Sequence, residues 1–547
     1  MAADDEPDIP TATGAAIPSV AFVNVVHVSA HHPGELERVL HQAFDAQVNG
    51  VSTRVVLAPG VYCVSLTFNW ARENAAVVAI EAEVSGTAIF SGADRFSGWR
   101  RMGELWCADW PYDCAAAPAP PDFNNPFLTT PELMLRREVL VMDGKVLRQQ
   151  LAASELAPGS FYVDAAARTI TLPPPGGKDP AHAVCEVATR SIALHLAGRK
   201  NVILRGLVFR HDASLHAAPL CAPLQISSCN NVVVEDCQFS ANNNKGIYLG
   251  GSQNHNITIR NSRFNGNGCI GLNAANCTNL LIEGCETNLN NWRGNWAGVY
   301  RRWPCGLKVS RSNRVTIRIH RSIRNMATGG WIDLENRDVR VEDSIFYGNY
   351  RGLHLEAGEG PYLVQRCQIA ANRQEPLINE WRWSFGSGLV LTHARGVMLK
   401  NNLIFDNDVA QVGVRDDRDK HVFRDPVSGV IHEWYTERVS LKNNTIIATD
   451  ANPTLLRLPS KDFDGGRFWQ QFRASDNNYF GMRHAKAFVI GAGAGLGEAC
   501  SAGQSGLGSC NGSYTFDEWR NASGQDAGAH FNDGDVADLS PPDGLVT

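Results

Sequence analysis

The chain has 547 residues, with 50 Lys and Arg against 56 Asp and Glu, for a formal net charge of −6. Hydrophobic residues make up 44% and charged residues 19%, which excludes a disordered chain or a coiled coil and leaves ample material for a large core. A mildly acidic chain without basic blocks is a poor partner for nucleic acid or anionic lipid, and no apolar run nears the ~18 residues of a membrane span.

Length alone suggests three or four domains. Residues 1–20 form an N-terminal segment whose start, Met1-Ala-Ala-Asp-Asp-Glu-Pro, has no basic-then-apolar leader. In residues 21–98, Leu36, Val39, Leu40, Ala43 and Phe44 fall at helical spacing, which predicts a helix that plugs the end of a solenoid. Val55 to Tyr62 and Ala88 to Gly92 read as its first coils. Over 99–178 the period disappears and antiparallel strands are expected, giving a small inserted β-sandwich. The coils resume over 179–485 and fade after Asn478; 486–547 reads as a loop-rich end, with Cys500 and Cys510 placed for a disulfide.

The main stretch is repetitive. Cys229-Asn-Asn-Val-Val-Val-Glu-Asp-Cys237, Asn254-His-Asn-Ile-Thr-Ile-Arg-Asn-Ser262 and Cys277-Thr-Asn-Leu-Leu-Ile-Glu-Gly-Cys285 start 25 and then 23 residues apart. Each copy is a short alternating strand followed by an Asn or Gly corner, with no room for a helix. This is the pattern of an all-β, right-handed parallel β-helix of the pectate-lyase-like type, in which Asn-rich corners stack. Cys221, Cys229 and Cys237 repeat 48 residues later as Cys269, Cys277 and Cys285. Small buried core thiols are the simplest account; no CxxC pair supports zinc, and no metal or cofactor is implied. A polymer-facing solenoid usually works outside the cell, which favours a secreted or periplasmic protein.

On such a coil, function must be sought as a column, because equivalent residues of neighbouring coils stack ~4.8 Å apart. Strands that begin at a glycine align as Gly246 to Gly250, Gly271 to Ala275, Gly306 to Ser310, Gly329 to Asp333, Gly352 to Glu356 and Gly388 to Thr392. Their second and fourth positions are mostly apolar and point inward, so the third and fifth point out. The third column reads Tyr248, Asn273, Lys308, Trp331, His354, Val390; the fifth reads Gly250, Ala275, Ser310, Asp333, Glu356, Thr392. Asp333 and Glu356, 23 residues apart, are the only acids in the fifth column. Stacked carboxylates repel, and a purely structural sheet avoids them. Retaining glycosidases need such a pair, with carboxyl groups ~5–5.5 Å apart.

Trp331 and His354 occupy the outward positions beside the acids, and an exposed Trp calls for a ligand. Two aromatic insertions flank the pair. One carries Trp292, Trp296, Tyr300, Arg301 and Trp303, the other Glu380, Trp381, Arg382 and Trp383. Aromatic plates with interspersed polar groups, Lys308 among them, suit the faces of a sugar ring. The acidic and basic run from Arg415 to His421 reads as a solvated loop and not as a calcium site.

The segments Gly-Gly-Trp-Ile-Asp333-Leu-Glu-Asn and Arg-Gly-Leu-His-Leu-Glu356-Ala-Gly resemble the catalytic coils of β-helix glycoside hydrolases, above all the retaining β-xylosidases of glycoside hydrolase family 120. Phe90-Ser-Gly-Ala-Asp-Arg-Phe-Ser-Gly-Trp99 and Phe516-Asp-Glu-Trp-Arg-Asn-Ala-Ser-Gly-Gln-Asp526 extend the likeness. The resemblance implies that a β-sandwich interrupts the helix, that Asp333 is the nucleophile and Glu356 the acid/base, and that an oligosaccharide or glycoside is the substrate. Two other classes stay open: a polysaccharide lyase using Lys308, Arg301 or Arg302, and a glycan-binding solenoid without turnover.

Overall fold

In a computed structural model of the protein, the described residues are 8–32, 34–69, 76–113, 130–174, 179–215, 220–296, 303–374, 384–415, 421–424, 430–449, 454–459, 466–491 and 512–533. The chain divides into two compact units: an N-terminal unit of Ala12–Lys308 with Asn325–Ala327, and a C-terminal unit of Met1–Thr11, Val309–Arg324 and Thr328–Thr547. Both are right-handed parallel β-helix.

Each turn of the coil contributes one strand to each of three parallel sheets. In the N-terminal unit one turn runs through Asn230–Glu235, Gln238–Ser240 and Lys245–Gly250; the next runs through Asn254–Arg260, Arg263–Asn265 and Ile270–Ala275. Their registers are Val232↔Ile257, Phe239↔Phe264 and Ile247↔Leu272, so like stacks on like. The interior is filled by these columns: Phe90, Phe209, Phe239 and Phe264 stack with ring centroids 4.8, 5.0 and 4.7 Å apart. That is the inter-strand spacing imposed on side chains.

Corners follow from backbone sterics. Asp236 and Asn261 take φ of 52° and 49°, the left-handed region that short polar side chains tolerate, and Gly284 takes the same place on the next turn at 62°. Asparagines also build the turns that lead into the glycine-started strands. Asn267 donates its side-chain amide to Asn290 Oδ1 at 3.1 Å, and Asn290 donates to Asn325 Oδ1 at 2.9 Å, all three fully buried. These ladders explain the glycine column. A Cβ on Gly246, Gly271, Gly329, Gly352 or Gly388 would lie 2.3–2.7 Å from a backbone oxygen of the following coil and within 3.0 Å of an asparagine amide.

The helix Glu35–Val48 buries Leu36, Val39, Leu40, Ala43 and Phe44 in the N-terminal unit, with Phe44 against Phe68 at 4.5 Å. In the same unit, two mainly antiparallel sheets interrupt the coil between Ser91 and Leu194. One joins Ala93–Arg95, Leu140–Met142, Lys145–Val146 and Cys185–Ala188. The other joins Arg100–Met102, Leu105–Asp109, Arg148–Gln150, Ser160–Asp164 and Thr169–Leu172. They share one core, which includes Trp110, Leu140, Phe161, Ile170 and Val187. Arg293, 1% exposed, fixes this sandwich to the coil by donating to Glu138 O, Gln149 Oε1 and Asn243 Oδ1.

The repeated cysteines are buried, each 3% exposed or less. Burial pushes the Cys229 thiol up to about 11 and those of Cys237 and Cys285 up to about 12. Beyond Asn478 the coil goes further than the sequence pattern suggests. His530–Asp533 adds a parallel strand to Asn478–Gly481, and helix Phe516–Ser523 inserts Trp519 beside Phe488 at 5.3 Å. The Cys500–Cys510 pairing and the loop from 416 to 420 lie outside the described residues.

Asp212 heads the first ladder and gives one clear pH effect. It is fully buried and its Oδ1 accepts the N–H groups of Asn243 and Ser214. Burial, only partly offset by those bonds, pushes its carboxyl up to about 7. The unfolded carboxyl ionises near its ordinary ~3.9, so folding takes up a proton between the two values and stability falls as pH rises through that window. Asp212→Asn removes this dependence. Its stability relative to wild type, measured by urea unfolding, is expected to rise from pH 4 to pH 8; a constant difference would contradict the assignment.

Candidate active site

The two acids sit on consecutive strands of one sheet in the C-terminal unit. Thr328–Asp333 pairs in parallel with Arg351–Gly358, in the register Gly330↔Leu353, Trp331↔His354 and Ile332↔Leu355. One residue further, Asp333 faces Glu356, which in turn aligns with Thr392 on the following strand. The alternation expected from sequence holds here: Ile332, Leu353 and Leu355 are fully buried in the coil interior. Gly330 replaces a side chain at an interior position because a Cβ there would lie 2.5 Å from the Phe346 ring.

After Asp333 the chain turns sharply, with Leu334 and Glu335 both in the left-handed region at φ 46° and 56°. Two such residues in succession are costly, and Asn336 offsets the strain. Its amide donates to Asp333 O at 2.6 Å and to Val309 O at 3.2 Å, while its Oδ1 accepts from Ser312 N–H. Asp333 is 7% exposed and the Glu356 side chain 18%. The Tyr362 hydroxyl is pushed far above its ordinary value by burial; a backbone hydrogen bond at Gly360 opposes this, and the charges of Glu359 and Asp333 add to it.

Trp331 differs from expectation. It is half-buried, not exposed, because its partners are inside the protein. Its Nε1–H donates to Glu356 Oε2 at 2.9 Å, its ring stacks on His354 at 5.7 Å, and the Arg351 guanidinium lies 5.5 Å from its centroid. Arg351, 3% exposed, is tied to Thr328 Oγ1 at 2.8 Å and lies over Phe385 at 5.0 Å. His354 is 1% exposed, with Nδ1 3.5 Å from Glu356 Oε2 and Nε2 3.1 Å from Thr392 Oγ1.

Arg351, Asn336 and Thr392 were not singled out by the column reading. The signal for Thr392 was present. A third-column side chain leans onto the fifth-column residue of the next coil, as Trp331 does on Glu356 and His354 on Thr392. His195 and Ser227 in the N-terminal unit do the same at 3.0 Å. Such diagonals are within reach of long side chains in any sheet.

The remaining candidates distribute as follows. Lys308, Trp303, Trp292 and Trp296 belong to the N-terminal unit. There Lys308 lies over the Trp303 ring at 5.0 Å. Trp292 packs on the Val139, Val141, Ala188 and Ala213 cluster, donates to Gly266 O at 3.0 Å and meets Trp296 at 4.5 Å. Tyr300, Arg301, Glu380, Trp381, Arg382 and Trp383 lie outside the described residues. Among the described residues no cluster of three or more His, Cys, Asp or Glu could hold a metal ion, and no helix is long and apolar enough to cross a membrane.

Residues 222–446 match the family model described as the right handed beta helix region. No curated protein sequence matches the chain. Among solved structures, the complex of XylC with xylose is similar at 14% identity, covering 83% of each chain with a TM-score of 0.59. The A-module of Azotobacter vinelandii mannuronan C-5 epimerase AlgE6 is similar at 13% identity, over 83% of this chain and 91% of that one, with a TM-score of 0.43. The GH136 lacto-N-biosidase from Eubacterium ramulus follows at 10% identity, over 83% and 68%, with a TM-score of 0.41. At these identities the likeness is one of fold, and the fold is the right-handed parallel β-helix.

Proposed function

We propose that the protein is a retaining, exo-acting, β-xylosidase-like glycoside hydrolase that trims oligosaccharides outside the cell. One observation carries the reading: two carboxylates stand on successive rungs at the same outward position, and one of them is held by an indole N–H. A rung spacing of ~4.8 Å suits direct attack by one carboxylate while the other protonates the leaving oxygen; inversion through an intervening water needs ~6.5–9.5 Å. Asp333 attacks the anomeric carbon as Glu356 gives its proton to the departing oxygen, forming a glycosyl ester. Glu356, now a carboxylate, takes a proton from water, whose oxygen displaces Asp333 and releases the sugar. The similarity of coil to XylC, solved with xylose, makes β-xylosides the first substrates to try.

The test is a panel of aryl glycosides followed by NMR. The first free sugar is expected to keep the substrate's anomeric configuration; an inverted first product would overturn the mechanism. An unsaturated, ultraviolet-absorbing product would identify a lyase. Sugar binding undiminished by Asp333→Asn, with no turnover by the wild-type protein, would identify a binding solenoid.

A further inference from the structure

We propose that Thr392 and His354 are positioning residues that, together with Trp331, confine the acid proton of Glu356 to Oε1. The inference rests on the reading of Glu356 as the acid/base. An indole N–H can only donate, so Glu356 Oε2, 2.9 Å from Trp331 Nε1, must present a lone pair to it in either protonation state. His354 Nδ1 approaches the same oxygen at 3.5 Å. On its far side, Nε2 lies 3.1 Å from the Thr392 hydroxyl, and both side chains are 1% exposed. When that hydroxyl donates to Nε2, the ring carries its hydrogen on Nδ1, the nitrogen 3.5 Å from Oε2. The indole hydrogen bond and this longer polar contact then fall on one carboxyl oxygen, and the proton given to the leaving group sits on the other. The contacts of the Trp331 ring with His354 and Arg351 hold the indole in place.

Acid catalysis matters in proportion to how poorly the leaving group departs unaided. Misplacing the proton should therefore slow glycosides of basic alcohols and spare those of acidic phenols. Thr392→Val is expected to lower kcat/KM roughly ten- to a hundredfold on a methylphenyl glycoside and less than about twofold on the dinitrophenyl glycoside of the same sugar. Trp331→Phe should give the same pattern, and Thr392→Ser should restore wild-type behaviour. Equal losses on both substrates, or a Ser variant as impaired as the Val variant, would show that Thr392 is only a packing residue. Glu356→Ala is the companion measurement. If it lacks the leaving-group dependence, the acid/base reading fails; if it shows the dependence and Thr392→Val does not, only the positioning role fails. A wild-type protein inactive on every glycoside sinks both.

Discussion

Asp333→Ala and Glu356→Ala are each expected to lower kcat/KM on an unactivated β-xyloside by a factor on the order of 10³, with the fold unchanged. The two losses should differ in kind. Without Glu356, a dinitrophenyl glycoside still forms the ester on Asp333, since its leaving group needs no proton. The ester then accumulates, because no base activates water. Azide, which needs no base, should restore turnover and leave a glycosyl azide of retained configuration. Without Asp333, azide enters the space the carboxylate vacated and attacks the anomeric carbon directly, giving the inverted azide. Both side chains leave the coil on its outer side, so truncation opens no cavity among Ile332, Leu353 and Leu355. Thermal midpoints should stay close to wild type. Exchanged azide stereochemistry between the two variants would reverse the roles; azide products of one configuration from both would remove the double displacement.

The fold was readable because a solenoid writes its geometry as a period. Spacings of 25 and 23 residues between strands are the coil circumference, and the registers Ile247↔Leu272 and His354↔Val390 are the columns obtained by aligning glycines. The glycines are reliable markers for a steric reason: each faces a backbone oxygen and an asparagine amide that leave no space for a methyl group. Alternation also says which face a side chain takes. It does not say which way a long side chain leans or what covers it. Trp331 was expected to be exposed, but the diagonal to Glu356 and the stack on His354 half-bury it. Trp292 was expected in an aromatic wall, yet its ring rests on Val139 and Val141, more than a hundred residues earlier in the inserted sandwich. Packing across an insertion leaves no trace in a local pattern. The last coil strand, His530–Asp533, is too short to announce itself by alternation.

Asn290→Ala is expected to cost about 3–5 kcal/mol, at the severe end for a single substitution. Asn290 is fully buried and fully used. Its amide donates to Phe264 O at 2.9 Å and to Asn325 Oδ1 at 2.9 Å. Its Oδ1 accepts from the Asn267 backbone at 2.9 Å and from the Asn267 amide at 3.1 Å. Alanine strands the carbonyl of Phe264 and the N–H of Asn267 together, and each buried orphan costs about 1–3 kcal/mol. The exposed Gln253→Ala, which loses one surface bond to Thr278, should stay within about 0.5 kcal/mol. Urea midpoints of the two variants give the comparison, and a small shift for Asn290→Ala would mean that water or relaxation replaces the ladder. This ladder and those of Asn372 and Asn402 also have a direction, because in each the amide donates to the oxygen of the next coil, whereas Asn231, Asn256 and Asn279 donate to the preceding one. A chain of donors pointing one way must end on an acceptor. In the C-terminal unit, Asn407 ends on Gln411 Oε1 at 2.7 Å, and Asn402, Asn444 and Asn477 end on Asp526 Oδ1 at 2.9 Å. The other oxygen of Asp526 accepts from Tyr479 and Trp519, so that terminal acid is satisfied where an acid inside the ladder would not be. Asn290→Asp tests this polarity. Ionised, it confronts Phe264 O and Asn325 Oδ1 with a third acceptor and should destabilise more than alanine at pH 8. Protonated, it regains one donor, so part of the loss should return as the pH falls toward 4.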